Sequence, residues 1–184
     1  MLKKELRKIY KQKRLSLSCS EIEEFQKHIY QKVFEMDFSK FQNIHIFLPI
    51  EKQKEINTYP IIDFLRDKKK QIVISKSDFK TNTLEHFKFN ANTILEVNKY
   101  GIPEPLFADK VKESSIDLVF VPLLISDKKN YRVGYGKGFY DRFLASCRED
   151  VFTIGLNFFK PIPSIEDVNE FDVKLNTVIY NDSK

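Results

Sequence analysis

Residues 132 to 142 read Arg-Val-Gly-Tyr-Gly-Lys-Gly-Phe-Tyr-Asp-Arg, with three glycines at alternate positions. The whole chain has five glycines, so 134, 136 and 138 mark a local need for that residue. Alternate glycines let backbone amides face a ligand without side chains in the way. A helix starting just after them adds free N–H groups and the positive end of its dipole. Lys137 and Arg132 bring charge for phosphoryl oxygens, and Asp141, one turn into that helix, is placed to hold a divalent cation directly or through water. The spacing fits neither a Walker A loop nor the dinucleotide GxGxxG fingerprint. Taken alone the three glycines also fit a plain tight turn; with Arg132, Lys137 and Asp141 they point to phosphate binding.

Other reactive residues are scattered. His28, His45 and His86 fall in different elements and form no metal set, and His45 reads as a packed core histidine. Cys19 and Cys147 form neither a disulfide framework nor a zinc pattern. Lys3, Arg7, Lys11 and Arg14 lie within about 80° of one another at helical pitch, a stripe that by pattern alone is a solvated helix face. Glu55, in Lys-Gln-Lys-Glu-Ile-Asn, reads by itself as an exposed loop charge.

The elements that must position these groups alternate between strand and helix. Residues 2 to about 16 have Leu2, Leu6 and Ile9 at helical spacing. A second helix follows Ser18, with Glu21 completing a capping box and Ile22, Phe25, Ile29, Val33 and Met36 as its apolar stripe. Residues 43–49 read as a first buried strand. Asn57 or Thr58 caps a helix with Pro60 in its first turn. Residues 71–75 and 83–89 read as strands, 101–105 as an extended turn, and 116–125 as the most apolar, central strand. A turn at 127–130 leads into the glycine cluster, 138–147 is a helix with Phe139, Phe143 and Cys147 on one face, and 151–156 and 177–180 close as strands. This order predicts an α/β domain with a mostly parallel sheet. No repeat, low-complexity run or linker divides the chain, so residues 1–184 form one domain.

At 184 residues and 42% apolar composition the chain can bury a core. No apolar run is long enough to span a bilayer and no secretory signal opens the sequence, so a cytoplasmic protein without a membrane partner is expected. The net charge of +5 permits anionic partners but does not require nucleic acid.

The run Arg132 to Leu144 resembles the signature of the 5-formyltetrahydrofolate cyclo-ligases, also called methenyltetrahydrofolate synthetases. Phe47-Leu48-Pro49 with Glu55-Ile56-Asn57-Thr58, Gly101-Ile102-Pro103-Glu104-Pro105, Asp117 to Pro122, and the Lys3 to Arg7 pattern with the later Arg14 are similar to further family segments in the same order. The sequence departs from the family where Leu123 and Leu124 replace a glycine-containing turn, where Phe171 stands before Asp172 in place of a histidine, and where Ser75 stands in place of a common proline.

The resemblance implies a single Rossmann-like domain with helices flanking the sheet. It implies ATP- and Mg²⁺-dependent cyclisation of 5-formyltetrahydrofolate to 5,10-methenyltetrahydrofolate through phosphorylation of the formyl oxygen. By the family pattern Lys137 and Arg132 are catalytic. Lys3, Lys4, Arg7 and the run Arg132, Val133, Gly134, Tyr135, Gly136, Lys137, Gly138, Phe139, Tyr140 bind ATP. Arg7, Leu48, Glu55, Tyr135, Gly136, Lys137, Gly138 and Phe139 bind the folate, and Asp141 and Asp172 bind Mg²⁺. The partners are then small molecules, without nucleic acid, and a monomer is expected. Two other readings remain open at this point: a different phosphate-ligand enzyme, such as a sugar-phosphate isomerase, and a basic nucleic-acid-binding protein.

Overall fold

The computed structural model describes residues 1–182. In chain order the elements are α1 (Lys3–Ser16), α2 (Cys19–Phe34), β1 (Asn43–His45), α3 (Tyr59–Asp67), β2 (Gln71–Asp78), β3 (Thr83–Lys88), β4 (Leu95–Val97), β5 (Pro103–Pro105), β6 (Lys110–Val111), β7 (Leu118–Pro122), β8 (Ile125–Ser126), β9 (Arg132–Val133), α4 (Phe139–Ser146), β10 (Phe152–Asn157) and β11 (Thr177–Tyr180). Seven strands form one sheet in the order β11-β10-β7-β1-β2-β3-β6. The pairings from β11 through β2 are parallel, and β3 and β6 add an antiparallel edge. This is the mostly parallel α/β sheet expected from the sequence.

Strand parity decides which helix covers which face. Ile72, Ile74, Leu118 and Phe120 point to one side, where they pack with Ile29 and Val33 of α2 and Ile61, Ile62 and Leu65 of α3. Val73, Val119 and Val121 point to the other, against Phe143 and Leu144 of α4. Both faces are therefore buried, which is why these strands are apolar without alternation. A third, smaller cluster of Leu6, Ile125, Val133 and Ile165 docks α1 onto the β8–β9 hairpin. No helix of the described residues is long and apolar enough to cross a membrane.

The capping box forms as read: Ser18 Oγ accepts from Glu21 N, and Glu21 Oε2 accepts from Ser18 N. At α3 it is Asn57 Oδ1 that accepts from Tyr59 N, because the Thr58 hydroxyl donates to Phe47 O. That second bond engages Phe47, a residue expected to continue β1, whose ladder stops at His45. Residues 46–50 leave the sheet to wall a cavity, with only Ile46 N still reaching Val73 O.

The long strand expected over 116–125 is also divided. Its ladder ends at Pro122, which has no N–H to donate. Ile125 and Ser126 then pair antiparallel with Arg132 and Val133. The turn between them is held by Asp127 Oδ1, which accepts from both Lys129 N and Tyr131 N. The segment read as an extended turn at 101–105 contributes strand β5 to a hairpin with β4. Helix α4 is one residue shorter at each end than expected, and Gly138 caps it in the left-handed conformation.

Candidate active site

A cavity of about 720 Å³ opens at the carboxyl ends of the parallel strands. Its walls come from the segments that follow β1 (Phe47, Leu48, Ile50, Glu55), end β2 (Ser75, Ser77, Phe79) and end β7 (Pro122), and from the whole glycine loop, Arg132 to Asp141. An open α/β sheet places ligands at this edge because loops and helix N-termini converge there. The first intrahelical bond of α4 runs from Arg142 N to Gly138 O at 3.1 Å. The N–H groups of Phe139, Tyr140 and Asp141 are thus left without intrahelical acceptors at the cavity wall.

Two of the three loop glycines are required by backbone shape. Gly136 and Gly138 have φ of +88° and +71°. A Cβ on Gly136 would stand 2.9 Å from the Arg7 guanidinium carbon, and one on Gly138 would stand 2.8 Å from Arg142 Nη1. The loop and α1 are pressed together: Arg7 Nε donates to Gly134 O at 2.9 Å.

The basic stripe of α1 is turned toward the cavity, with Lys11 at its exposed rim. Lys3, Arg7 and Lys11 all line the cavity, and Arg14 is buried beneath it at 4% exposure. Leu6 and the third hydrophobic cluster turn that face inward by seating α1 on the β8–β9 hairpin. Lys4 points the other way: it is exposed and absent from the lining. Of the residues implicated by resemblance, it alone stands outside the cavity. Lys11 is an addition that the stripe itself signalled.

Two cation–carboxylate pairs sit at one side. Arg132 donates through Nη2 to Asp141 Oδ1 at 2.7 Å and through Nη1 to Val173 O at 2.6 Å. Lys3 Nζ pairs with Asp172 Oδ2. Asp141 Oδ2 and Asp172 Oδ1 accept no hydrogen bond from the described residues. Each carboxylate therefore keeps one oxygen for a ligand, a donor set that suits Mg²⁺, which takes one or two carboxylates and completes its octahedron with water and phosphate oxygens. Five cationic side chains and three carboxylates line the cavity. The positive excess fits a polyanionic guest.

Glu55 is buried, not an exposed loop charge. Its Oε2 accepts from Ile50 N at 2.8 Å and its Oε1 from the Tyr135 hydroxyl at 2.5 Å. Arg14 Nη2 donates to the same hydroxyl. Burial pushes the Glu55 carboxyl above its ordinary range, against the opposing pull of Arg14 and the two hydrogen bonds. The Tyr135 hydroxyl is pushed far upward by burial and by Glu55, so it stays protonated and donates.

Part of the remaining wall is aromatic. Phe79 stacks on Tyr100 with centroids 3.9 Å apart, and Phe139 meets Phe79 edge-on at 5.2 Å. Phe139, read on the same helix face as Phe143 and Cys147 and by resemblance as a ligand-binding residue, lines the cavity. Phe79 and Tyr100 carried no sequence signal, since each is a single aromatic in a polar segment.

A family model described as the 5-formyltetrahydrofolate cyclo-ligase family matches residues 1–181. The chain is 31% identical over 195 residues to a mouse 5-formyltetrahydrofolate cyclo-ligase, covering 98% of this chain and 94% of the relative. It is 27% identical over 189 residues to the cyclo-ligase of Mycoplasma pneumoniae, covering 99% and 100%. The NMR structure of Aquifex aeolicus 5,10-methenyltetrahydrofolate synthetase superposes with a TM-score of 0.83 at 25% identity, covering 100% of this chain and 91% of that one. The synthetase structure from Mycoplasma pneumoniae gives 0.79 at 25% identity, covering 97% and 98%.

Proposed function

The chain belongs to the 5-formyltetrahydrofolate cyclo-ligase family, a family of ligases, and on that premise we propose that it closes 5-formyltetrahydrofolate to 5,10-methenyltetrahydrofolate at the expense of ATP. The observation that carries this reading is the meeting of the glycine loop and the α1 basic stripe on one cavity that also holds a buried acceptor carboxylate and an aromatic wall. The cationic lining suits a triphosphate, and the carboxylate with the aromatic side chains suits a flat, donor-bearing ring.

The formyl oxygen on N5 attacks the γ-phosphorus of ATP, and the bond to the bridging oxygen of ADP breaks. The formyl carbon then carries a phosphate leaving group. N10 adds to that carbon, the carbon–oxygen bond breaks, inorganic phosphate departs, and the N10 proton is released. Phosphoryl transfer of this kind depends on positioning and charge neutralisation more than on a strong base. Lys137, exposed at the apex of the loop, meets the charge developing on the transferred group. Arg132 is fixed by Asp141 and Val173 O and adds a second positive charge. Lys3, Arg7 and Lys11 face the same space from α1.

Asp141 and Asp172 would hold Mg²⁺ through their free oxygens. When bound, the ion neutralises and orients the phosphates. Glu55, held by Ile50 N and Tyr135, accepts from the N–H edge of the pterin. Phe79, Tyr100 and Phe139 give that ring a surface to stack against.

The basic stripe was the main support for a nucleic-acid partner, and it turns into a cavity of small-molecule size. The proposal therefore keeps ATP and the folate as partners and a monomer in the cytoplasm. The test is the absorbance of the methenyl product. It appears only when ATP, Mg²⁺ and 5-formyltetrahydrofolate are all present; product without ATP, or none with all three, overturns the reading.

A further inference from the structure

We propose that Ser75 is a specificity residue of the cavity, its hydroxyl locked as a hydrogen-bond acceptor by two buried histidines so that it selects a ligand edge carrying an N–H donor. The identity of that ligand as the reduced pterin rests on the function proposed above; the lock itself does not.

Strand register brings the three residues together. His45 on β1 lies opposite Val73 on β2, and Ser75 is two residues further along the same face. Ser75 in turn lies directly opposite His86 on β3. Ser75 Oγ stands 2.6 Å from His45 Nε2 and 3.1 Å from His86 Nδ1. Both imidazoles are buried, and Phe143 covers them with ring centroids 4.8 Å and 4.0 Å away. Ser75 is only partly buried and lines the cavity.

The protons can be assigned by elimination. A serine hydroxyl has one proton and two lone pairs, and a neutral imidazole has one N–H and one lone pair. Burial holds both histidines neutral, with His86 brought down to about 4 and His45 well below its ordinary value. The two outward nitrogens, His45 Nδ1 and His86 Nε2, are buried without a hydrogen-bond partner among the described residues. His86 Nε2 lies 3.8 Å from Glu113 Oε1. A proton on that nitrogen is attracted by the carboxylate, whereas a lone pair would be repelled. The His86 proton therefore sits on Nε2, and its bare Nδ1 takes the Ser75 proton. His45 Nε2–H then donates to Ser75, which leaves His45 Nδ1 as an orphan lone pair in place of the costlier orphan N–H.

Ser75 has then given its only proton away and filled one lone pair. What remains for the cavity is the other lone pair. A ring N–H or an exocyclic amine is accepted there, and a carbonyl or phosphate oxygen is repelled. Ser75 thus has the opposite preference to Lys137 and Arg132, which line the same cavity and attract phosphate. The two opposed preferences orient a bipartite substrate in one direction.

The first test is ¹⁵N NMR of the histidine side chains in the ligand-free protein at neutral pH. Nε2–H with a bare Nδ1 is expected for both His45 and His86; protons on both nitrogens that face Ser75 overturn the lock. The second test is the affinity for 5-formyltetrahydrofolate without ATP. Ser75→Ala is expected to weaken it about tenfold, the loss of one neutral hydrogen bond, while Ser75→Thr stays within about threefold and the ATP KM is unchanged. Ser75→Ala affinity within twofold of wild type, with wild-type turnover normal, removes Ser75 from the folate site and leaves the proposed activity standing. Absent wild-type turnover removes the activity instead, and the NMR result alone then decides the lock.

Discussion

The Tyr135 hydroxyl donates to Glu55 Oε1 at 2.5 Å, joining positions 80 residues apart. Arg14 Nη2 donates to the same hydroxyl, so α1, the glycine loop and the segment after β1 share one partly buried hydrogen-bond chain. Glu55 has both oxygens engaged and is fixed in place before a ligand arrives.

Glu55→Gln keeps the shape and removes the charge. The folate KM is expected to rise about 10- to 100-fold, the loss of a charge-assisted hydrogen bond, with little change in the ATP KM. Tyr135→Phe leaves the carboxylate held by Ile50 N alone and should raise the folate KM by a smaller factor. Because burial raises the Glu55 carboxyl, the wild-type folate KM should climb as pH falls, a limb that Glu55→Gln lacks. Steady-state kinetics against each substrate in turn checks all three; a change confined to ATP places Glu55 elsewhere.

Lys137 is exposed and makes no ion pair among the described residues, so its removal should not disturb the fold. Lys137→Ala is expected to lower turnover by roughly 10²-fold or more with an unchanged melting temperature. Turnover near wild type would exclude the loop lysine from the transferred phosphoryl group.

Asp141→Asn and Asp172→Asn should each raise the Mg²⁺ concentration that gives half-maximal activity. The amide oxygen still accepts from Arg132 or Lys3, so neither cation is stranded as it would be by alanine. Asp141, on the helix that the phosphate loop caps, should show the larger shift. Wild-type Mg²⁺ dependence in Asp172→Asn would leave Asp141 as the sole protein ligand.

Acid stability should carry the mark of the buried histidines. His86 titrates near 6.5 when unfolded and about 4 when folded, because burial penalises its charged form. Between those values the unfolded chain binds the extra proton, so stability rises with pH in that window. The contribution is complete above about 6.5 and is lost as pH falls to about 4. At about 1.4 kcal/mol per unit it is on the order of 3 kcal/mol, and His45 adds to it in the same direction. Urea unfolding across this range should show a steeper pH dependence in wild type than in His86→Phe; parallel curves would place the charged imidazole comfortably in the native fold.

The alternation of strands and helices, the apolar run of β7, and the Ser18–Glu21 capping box were legible because each depends on residues a few positions apart. The glycine loop was legible for the same reason: positive φ at 136 and 138 is a local demand that only glycine meets cheaply. Other features required the whole chain. A helical stripe says that Lys3, Arg7, Lys11 and Arg14 share a face, but only the docking of Leu6 on Ile125 and Val133 says that the face looks into a cavity and leaves Lys4 outside. Strands β4, β5 and β6 are two or three residues long and lack an apolar run, so pairing across the chain defines them. Glu55 looked like a loop charge because its partners, Arg14 and Tyr135, are 41 and 80 positions away. The His45–Ser75–His86 chain likewise joins three strands whose register is set by the sheet. Periodicity fixes which side a residue faces, and tertiary packing decides what it meets there.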